Sequence, residues 1–222
     1  QTQDVLDYLI AENDYKESAL APTKDFQKEL FDEIVGRIVK DDESVPVFYR
    51  GYWYYSRYEE GKEYAYNCRK KETMDGAEEI LLDGPKLAEG HSYFAIGGSS
   101  VSPNNNIIVY GIDTVSRRQY TLRFKDLTTG IVFKDEIPET TGGAVWANDN
   151  KTIFYTKKDP TTLRSYRILK HTLGADSSED VVVYEETDDT FSVGVGKSKS
   201  ERFIMIGSHS TLSSETRFID AD

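Results

Sequence analysis

Few side chains in this 222-residue sequence are of the kinds that carry covalent chemistry: three histidines, His91, His171 and His209, and one cysteine, Cys68. A serine hydrolase needs a nucleophile on a strained strand-to-helix elbow, usually Gly-x-Ser-x-Gly, with a histidine base in reach. The nearest run is Gly97-Gly98-Ser99-Ser100, which lacks the closing glycine and reads as a loop between structural units. Without a nucleophile the histidines gain no general-base role. Structural or surface positions are expected for them: His91 in a polar junction, His171 on a tyrosine-led strand, His209 near the chain end. Their separations of 80 and 38 residues match no zinc pattern. The cations of Arg69-Lys70-Lys71 would lower the pKa of the Cys68 thiol, but a half-buried strand position is the better reading. No phosphate-cradling glycine loop or calcium loop occurs. The sequence thus offers no catalytic, cofactor-binding or metal-binding residue of its own, and no cofactor is expected.

Charge narrows the partners. The formal net charge is -12, a field that repels nucleic-acid phosphates and attracts cationic ligands. In that setting Arg69-Lys70-Lys71 reads as a solvated turn, and no nucleic acid is expected. Residues 1–46 carry 12 acidic and 5 basic side chains, so the front fifth differs in kind from the rest. The clusters Asp41-Asp42-Glu43 and Glu59-Glu60 read as solvated element ends rather than as a lining for cationic peptides. No run of about 18 apolar residues exists, so no membrane span is expected. One cysteine allows no internal disulfide; this points to the cytoplasm, with the periplasm as the alternative. Gln1 is not an initiator methionine, which leaves room for a removed upstream segment.

The elements that would position any site fall into two groups. Residues 4–21 read as a helix with Val5, Tyr8, Tyr15 and Ala19 near one face, stopped by Pro22. Thr23 then reads as the N-cap of a second helix, in which Phe26, Leu30, Ile34 and Ile38 recur every fourth residue, widened by Phe31 and Val35. The Asp41–Glu43 cluster and Pro46 should end it. These helices have no helical partner later in the chain and must pack on something else.

Beyond Pro46, short runs rich in Tyr, Val, Ile and Phe alternate with turn clusters. Phe48–Ser56, Ile107–Ile112, Tyr120–Phe124, Thr152–Thr156, Val181–Tyr184 and Phe203–Ile206 read as strands. A repeat decides the architecture. Asn105, Ile108 and Tyr110 recur 45 residues on as Asn150, Ile153 and Tyr155, and Ile153 and Tyr155 recur 51 further as Ile204 and Ile206. Tyr120-Thr121-Leu122 recurs 46 on as Tyr166-Arg167-Ile168. A period near 45 with about four strands per unit is the mark of propeller blades, each too thin to bury both faces alone. The reading is therefore all-β: a partial β-propeller after two N-terminal α-helices. Residues 1–46 form the helical segment, and residues 47–222 carry about three and a half blades, at about 47–92, 93–139, 140–187 and onward. So open an arc suggests one part of a longer protein.

Ordered short motifs then become recognisable. Tyr54-Tyr55-Ser56-Arg57-Tyr58-Glu59-Glu60-Gly61-Lys62-Glu63-Tyr64 resembles the first propeller strands of oligopeptidase B (protease II), in the prolyl oligopeptidase family of serine peptidases. Leu87-Ala88-Glu89-Gly90-His91-Ser92-Tyr93-Phe94, Val101-Ser102-Pro103-Asn104, Gly143-Ala144-Val145-Trp146, Ile153-Phe154-Tyr155-Thr156, His171-Thr172-Leu173-Gly174 and Asp180–Glu186 continue the likeness in order over nearly the whole chain. The resemblance implies a parent with a seven-bladed propeller over a C-terminal α/β-hydrolase domain that carries a Ser-Asp-His triad. It also implies that the first helices pack on that hydrolase domain, and that the parent cleaves short cationic peptides after Lys or Arg. The N-terminal half of the propeller would gate entry and be inactive alone, its truncated end prone to self-association. A stand-alone propeller scaffold is the competing reading, but the Trp-Asp and kelch signatures of the common scaffold families are absent. A propeller glycosidase would need a spaced carboxylate pair in its channel, which a sequence cannot locate.

Overall fold

The computed structural model describes residues 2–222. The chain divides into two compact units, one running to Asp42 and taking in Glu59–Gly61, the other comprising Glu43–Tyr58 and Lys62–Asp222.

The first unit is helical. Helix α1 spans Gln3–Leu20 and α2 spans Lys24–Gly36, joined by one 3₁₀ turn at Ala21–Thr23. The first α-helix ends just before Pro22, as its sequence suggests, but only one 3₁₀ turn separates it from α2. Pro22 occupies the first turn of the 3₁₀ segment, where a missing N–H costs little. Thr23 takes the N-cap position of α2 as expected, but its side chain makes no capping hydrogen bond: its hydroxyl donates to the Leu20 carbonyl (2.8 Å) and accepts from the Gln27 amide (2.8 Å). Helix α2 ends at Gly36, ahead of the acidic cluster expected to end it, because glycine is a poor helix former. Neither helix buries a single residue.

The second unit is a run of antiparallel meanders. Strands β1 (Val47–Tyr49), β2 (Tyr52–Arg57), β3 (Tyr66–Lys71) and β4 (Glu78–Asp83) form one sheet in that order. The run Phe48–Ser56, which reads as one strand, is a hairpin: Arg50 (φ 46°) and Gly51 (φ 84°) both take left-handed conformations, the requirement of a tight two-residue turn. After a short helix α3 (Gly84–Leu87) come β5 (Ala95–Val101), β6 (Ile107–Asp113), β7 (Tyr120–Asp126), β8 (Val132–Trp146), β9 (Thr152–Lys158), β10 (Ser165–Thr172) and β11 (Val181–Glu185). These seven are hydrogen-bonded in sequence order. The last sheet is β12 (Ser192–Lys197), β13 (Phe203–His209) and β14 (Ser214–Asp220).

The blade boundary expected near 139 falls inside one strand. The first part of β8 pairs with β7 and its last part with β9, with a break in register between Thr140 and Ala144. Strand β8 is thus the outer strand of the second blade and the inner strand of the third. At the break Gly142 has φ +90°, and a Cβ there would lie 2.7 Å from the Tyr120 ring. A Cβ on Gly111 would lie 2.3 Å from the Gly142 carbonyl oxygen. The two sheets join only because these backbones carry no side chain.

The core sits in the joints between blades. Strand residues alternate sides, so Ile108 and Tyr110 pack with Leu81 and Leu82 of the first blade, while Val109 faces the third. Ile153 and Tyr155 meet Val109, Leu122 and Phe124 of the second blade, and Phe154 meets Ile204 of the fourth. Ile206 closes on Ile168. The repeated Ile positions, Ile108, Ile153 and Ile204, are each at most 1% exposed and each seals the joint with the preceding blade.

Candidate functional site

The site is built from the turns that join the first two strands of each blade. In three blades the turn is one motif. The Ser102, Ala147 and Ser198 amides each donate to the carbonyl five residues on, at 2.8 Å. The residue three places in, Asn105, Asn150 or Glu201, has φ of 63°, 61° or 60°. Asparagine tolerates that conformation and glutamate does so at a cost.

These turns are stitched to one another. The Asn105 amide donates to the Arg50 carbonyl (3.1 Å), the Asn104 N–H to Asn150 Oδ1 (2.7 Å), and the Asn148 amide to the Glu201 carbonyl (3.2 Å). A further link skips two blades. The Arg50 guanidinium takes both carboxylate oxygens of Glu201, and the Tyr49 hydroxyl donates to Glu201 Oε1 at 2.7 Å. Arg50 holds the Glu201 carboxyl below its usual range, while burial and the Glu201 contact push the Tyr49 phenol up to about 12. Phe48 in the first blade and Phe218 in the fourth remain exposed, so these turns meet while both strands keep open faces.

Behind the turns lies a cavity of about 350 Å³ that all four blades line. Leu81, Val101, Val145 and Trp146 give apolar walls; Arg50, Ser99, Ser100 and Lys197 give polar ones. The Lys197 amine donates to Asn148 Oδ1 (2.5 Å), and burial depresses its pKa. Ser99 and Ser100 line this space but no histidine does, so it holds no serine–histidine pair.

The side chains singled out in the sequence are scattered. Gly97-Gly98-Ser99-Ser100 is not a loop but part of β5; Gly97 lies against the Tyr120 ring, where a Cβ would come within 2.7 Å. The glycines answer to packing, not to a nucleophile elbow. His171 is buried, with Nδ1 2.7 Å from Asp180 and Nε2 3.4 Å from Asp135, and its ring stacks on Phe124. Asp180 also accepts from the Tyr155 hydroxyl (2.8 Å), so the cluster braces the third blade. His91 is exposed beside Phe94, and His209 is exposed at the end of β13.

Cys68 is fully buried rather than half-buried, and its thiol is pushed up to about 11 by burial and by Glu78, against the lowering that nearby cations suggest. Its neighbours point elsewhere. Arg69-Lys70-Lys71 is not a solvated turn but the end of β3. Arg69 is buried, paired with Glu79 (2.8 Å) and lying 4.0 Å over the Tyr52 ring, and Lys70 donates to the Met74 carbonyl. Asp41 accepts from the Glu60 N–H (2.7 Å) and Glu60 pairs with Lys40 (3.0 Å), so the two acidic clusters are tied within the helical unit. Tyr49, Arg50, Lys197 and Glu201 carry no sequence signal: they lie in turns and at the strand ends beside them, in two blades, and come together only in the fold. Among the described residues no cluster of three or more His, Cys, Asp or Glu side chains is placed to hold a metal, and no helix is long and apolar enough to cross a membrane.

Comparison with known proteins agrees with this architecture. The family model of the prolyl oligopeptidase N-terminal beta-propeller domain matches residues 1–222. Dipeptidyl aminopeptidase BI of Pseudoxanthomonas mexicana is 41% identical over 98% of this chain and 32% of its own length. Protease 2 of Moraxella lacunata is 31% identical over 99% of this chain and 33% of its own. The structure of oligopeptidase B from Leishmania major superposes with a TM-score of 0.89 at 29% identity, covering all of this chain and 31% of that one. The chain thus spans about a third of the length of the relatives it matches. With the family model matching from the first residue to the last, this chain belongs to the prolyl oligopeptidase N-terminal beta-propeller family.

Proposed function

We propose that this chain is the gating part of a serine endopeptidase that cleaves short peptides after Lys or Arg, with the reaction performed by a C-terminal hydrolase domain outside these residues. The observation that carries the reading is the likeness to oligopeptidase B across every residue of this chain. Residues 1–46 would pack on the hydrolase domain, and residues 47–222 would form the first half of the propeller that covers it. The mechanism is steric: a constricted entrance admits short flexible chains, excludes folded ones, and on closing removes water from the reacting groups. The net charge of -12 would raise the local concentration of cationic peptides.

A second reading rests on the 41% identity to a protein named dipeptidyl aminopeptidase. An aminopeptidase of that kind needs a free substrate N-terminus; an endopeptidase does not. The test is hydrolysis by the full-length protein of an N-blocked arginyl-arginyl amide, its unblocked twin, and a matched substrate with Leu at the cleaved position. Turnover of the blocked Arg substrate at least ten-fold above the Leu one is expected. Cleavage confined to the unblocked peptide would favour the aminopeptidase, and indifference to Arg would overturn the basic specificity.

A further inference from the structure

The inner turns are joined by links of two kinds. In three of them a backbone group takes part: the Arg50 carbonyl accepts from the Asn105 amide, the Asn104 N–H donates to Asn150, and the Glu201 carbonyl accepts from the Asn148 amide. Each joins neighbouring blades over one short asparagine side chain, which holds the turns close. The fourth link, Arg50 with Glu201, ties the first blade to the fourth through side chains alone. Two long side chains can part and meet again by rotating between staggered states while both turns keep their backbone. They are 15% and 33% exposed, so water can take up their charges when they part.

Neither residue suits the turn that carries it. Arg50 and Gly51 make the two-residue turn between β1 and β2, with Arg50 at φ 46°. Turns of that kind favour asparagine or aspartate before the glycine. In the turn repeated in the later blades, the left-handed position holds Asn105, then Asn150, then Glu201. A residue other than Gly, Asn or Asp held at such φ is strained, and strain of this sort gathers at clamps and switch regions. Two positions 151 residues apart thus carry side chains that their turns do not favour, and those two side chains meet. The contact is specific. Arg50 Nε lies 3.1 Å from Glu201 Oε1, a terminal guanidinium nitrogen takes the other oxygen, and the Tyr49 hydroxyl donates to Oε1 at 2.7 Å.

Tyr49 and Arg50 also line the cavity of about 350 Å³ behind the turns, so the pair stands at the boundary of that space. We infer that Arg50 and Glu201 form a releasable clasp that fixes the spacing of the first and fourth blades and so sets how bulky a peptide can enter past the inner turns. Closed, the clasp admits a single extended chain. Parted, it admits a chain carrying a loop. The inference rests on the peptidase reading above and assigns its size discrimination to one named pair. Cohesion alone does not call for these residues, since asparagine at both positions would leave both turns relaxed and the other three links in place.

The test compares two peptides with a single Arg, one linear and one carrying a disulfide-closed loop several residues from that Arg. Their kcat/KM values are measured for the full-length protein, unmodified and as Arg50→Asn, Glu201→Asn and the double variant. Each replacement is a residue that its turn favours, so the variants should fold, which thermal unfolding checks. The looped-to-linear ratio should be low in the unmodified protein and rise at least three-fold in either single variant. It should rise no further in the double variant, because both changes break one contact. Should one single variant not fold, the other decides. Equal cleavage of the two peptides by the unmodified protein, or an unchanged ratio in a folded variant, would overturn the clasp and leave the peptidase reading standing. Failure of the unmodified protein to cleave even the linear peptide would overturn that reading and the clasp with it.

Discussion

The joint between the second and third blades and the pair of N-terminal helices begin from similar sequence signals and end differently. Each shows apolar residues at a regular period, two in the strands and near four in the helices. In the joint the pattern is consumed: Leu122 and Ile153 are fully buried. In the helices it is not, and Phe26 and Phe31 remain 64% exposed. Periodicity declares that a face is to be covered. It does not say what covers it, nor whether the cover lies in the same chain.

The comparison breaks most visibly at Ile153. Ile153→Ala should lower unfolding stability by about 2–5 kcal/mol, since the joint must either collapse or keep a cavity; denaturant unfolding measures it, and a loss well below about 1 kcal/mol would mean that the blades do not share a core there. The next effect belongs to the tie between blades one and four. A double-mutant cycle on Arg50→Ala and Glu201→Ala should return a coupling of roughly 0.5–1.5 kcal/mol, smaller than the core term because the pair keeps some solvent. A null coupling would leave the two turns mechanically independent.

A pH effect should sort blade from helix as well. Glu78, held by Arg57 and by the Tyr55 hydroxyl, titrates at about 2 instead of 4.5. A carboxylate with a depressed folded pKa contributes stability that is complete above about 4.5 and is lost as pH falls towards 2. The stability gap between the native protein and Glu78→Gln should therefore shrink across that window; a gap constant from pH 5 to pH 2 would contradict it. The smallest effect is expected at Phe31. Phe31→Ser should change unfolding stability by less than about 0.5 kcal/mol, as for other exposed positions. It should also reduce association of the isolated 222-residue chain in light scattering, because its exposed stripe is apolar. A large loss of stability would show that the helix is already covered within the chain.

Much of the fold was legible because the repeat is a local pattern seen several times. The register from Ile108 to Ile153 to Ile204 identified blades and their core positions, because alternation along a strand is fixed by the pleat. Strands that the sequence hid, β5, β12 and the end of β8, are rich in glycine or interrupted by Pro138, and their pairing comes from neighbours rather than from propensity. Pro22 reads as a stop and the α-helix does end before it; the shortness of the link, a single 3₁₀ turn, was not visible in the sequence.

What the sequence determined by itself was the class of architecture, the lack of an elbow serine, and which residues face a joint, since these follow from short-range steric rules repeated along the chain. What only the tertiary structure decided was which polar side chains meet: Arg50 with Glu201 between the first and fourth blades, and His171 with Asp135 and Asp180. Those contacts join residues 9 to 151 positions apart, and they are set by the pairing, stacking and twist of whole sheets, about which no local pattern in the sequence carries information.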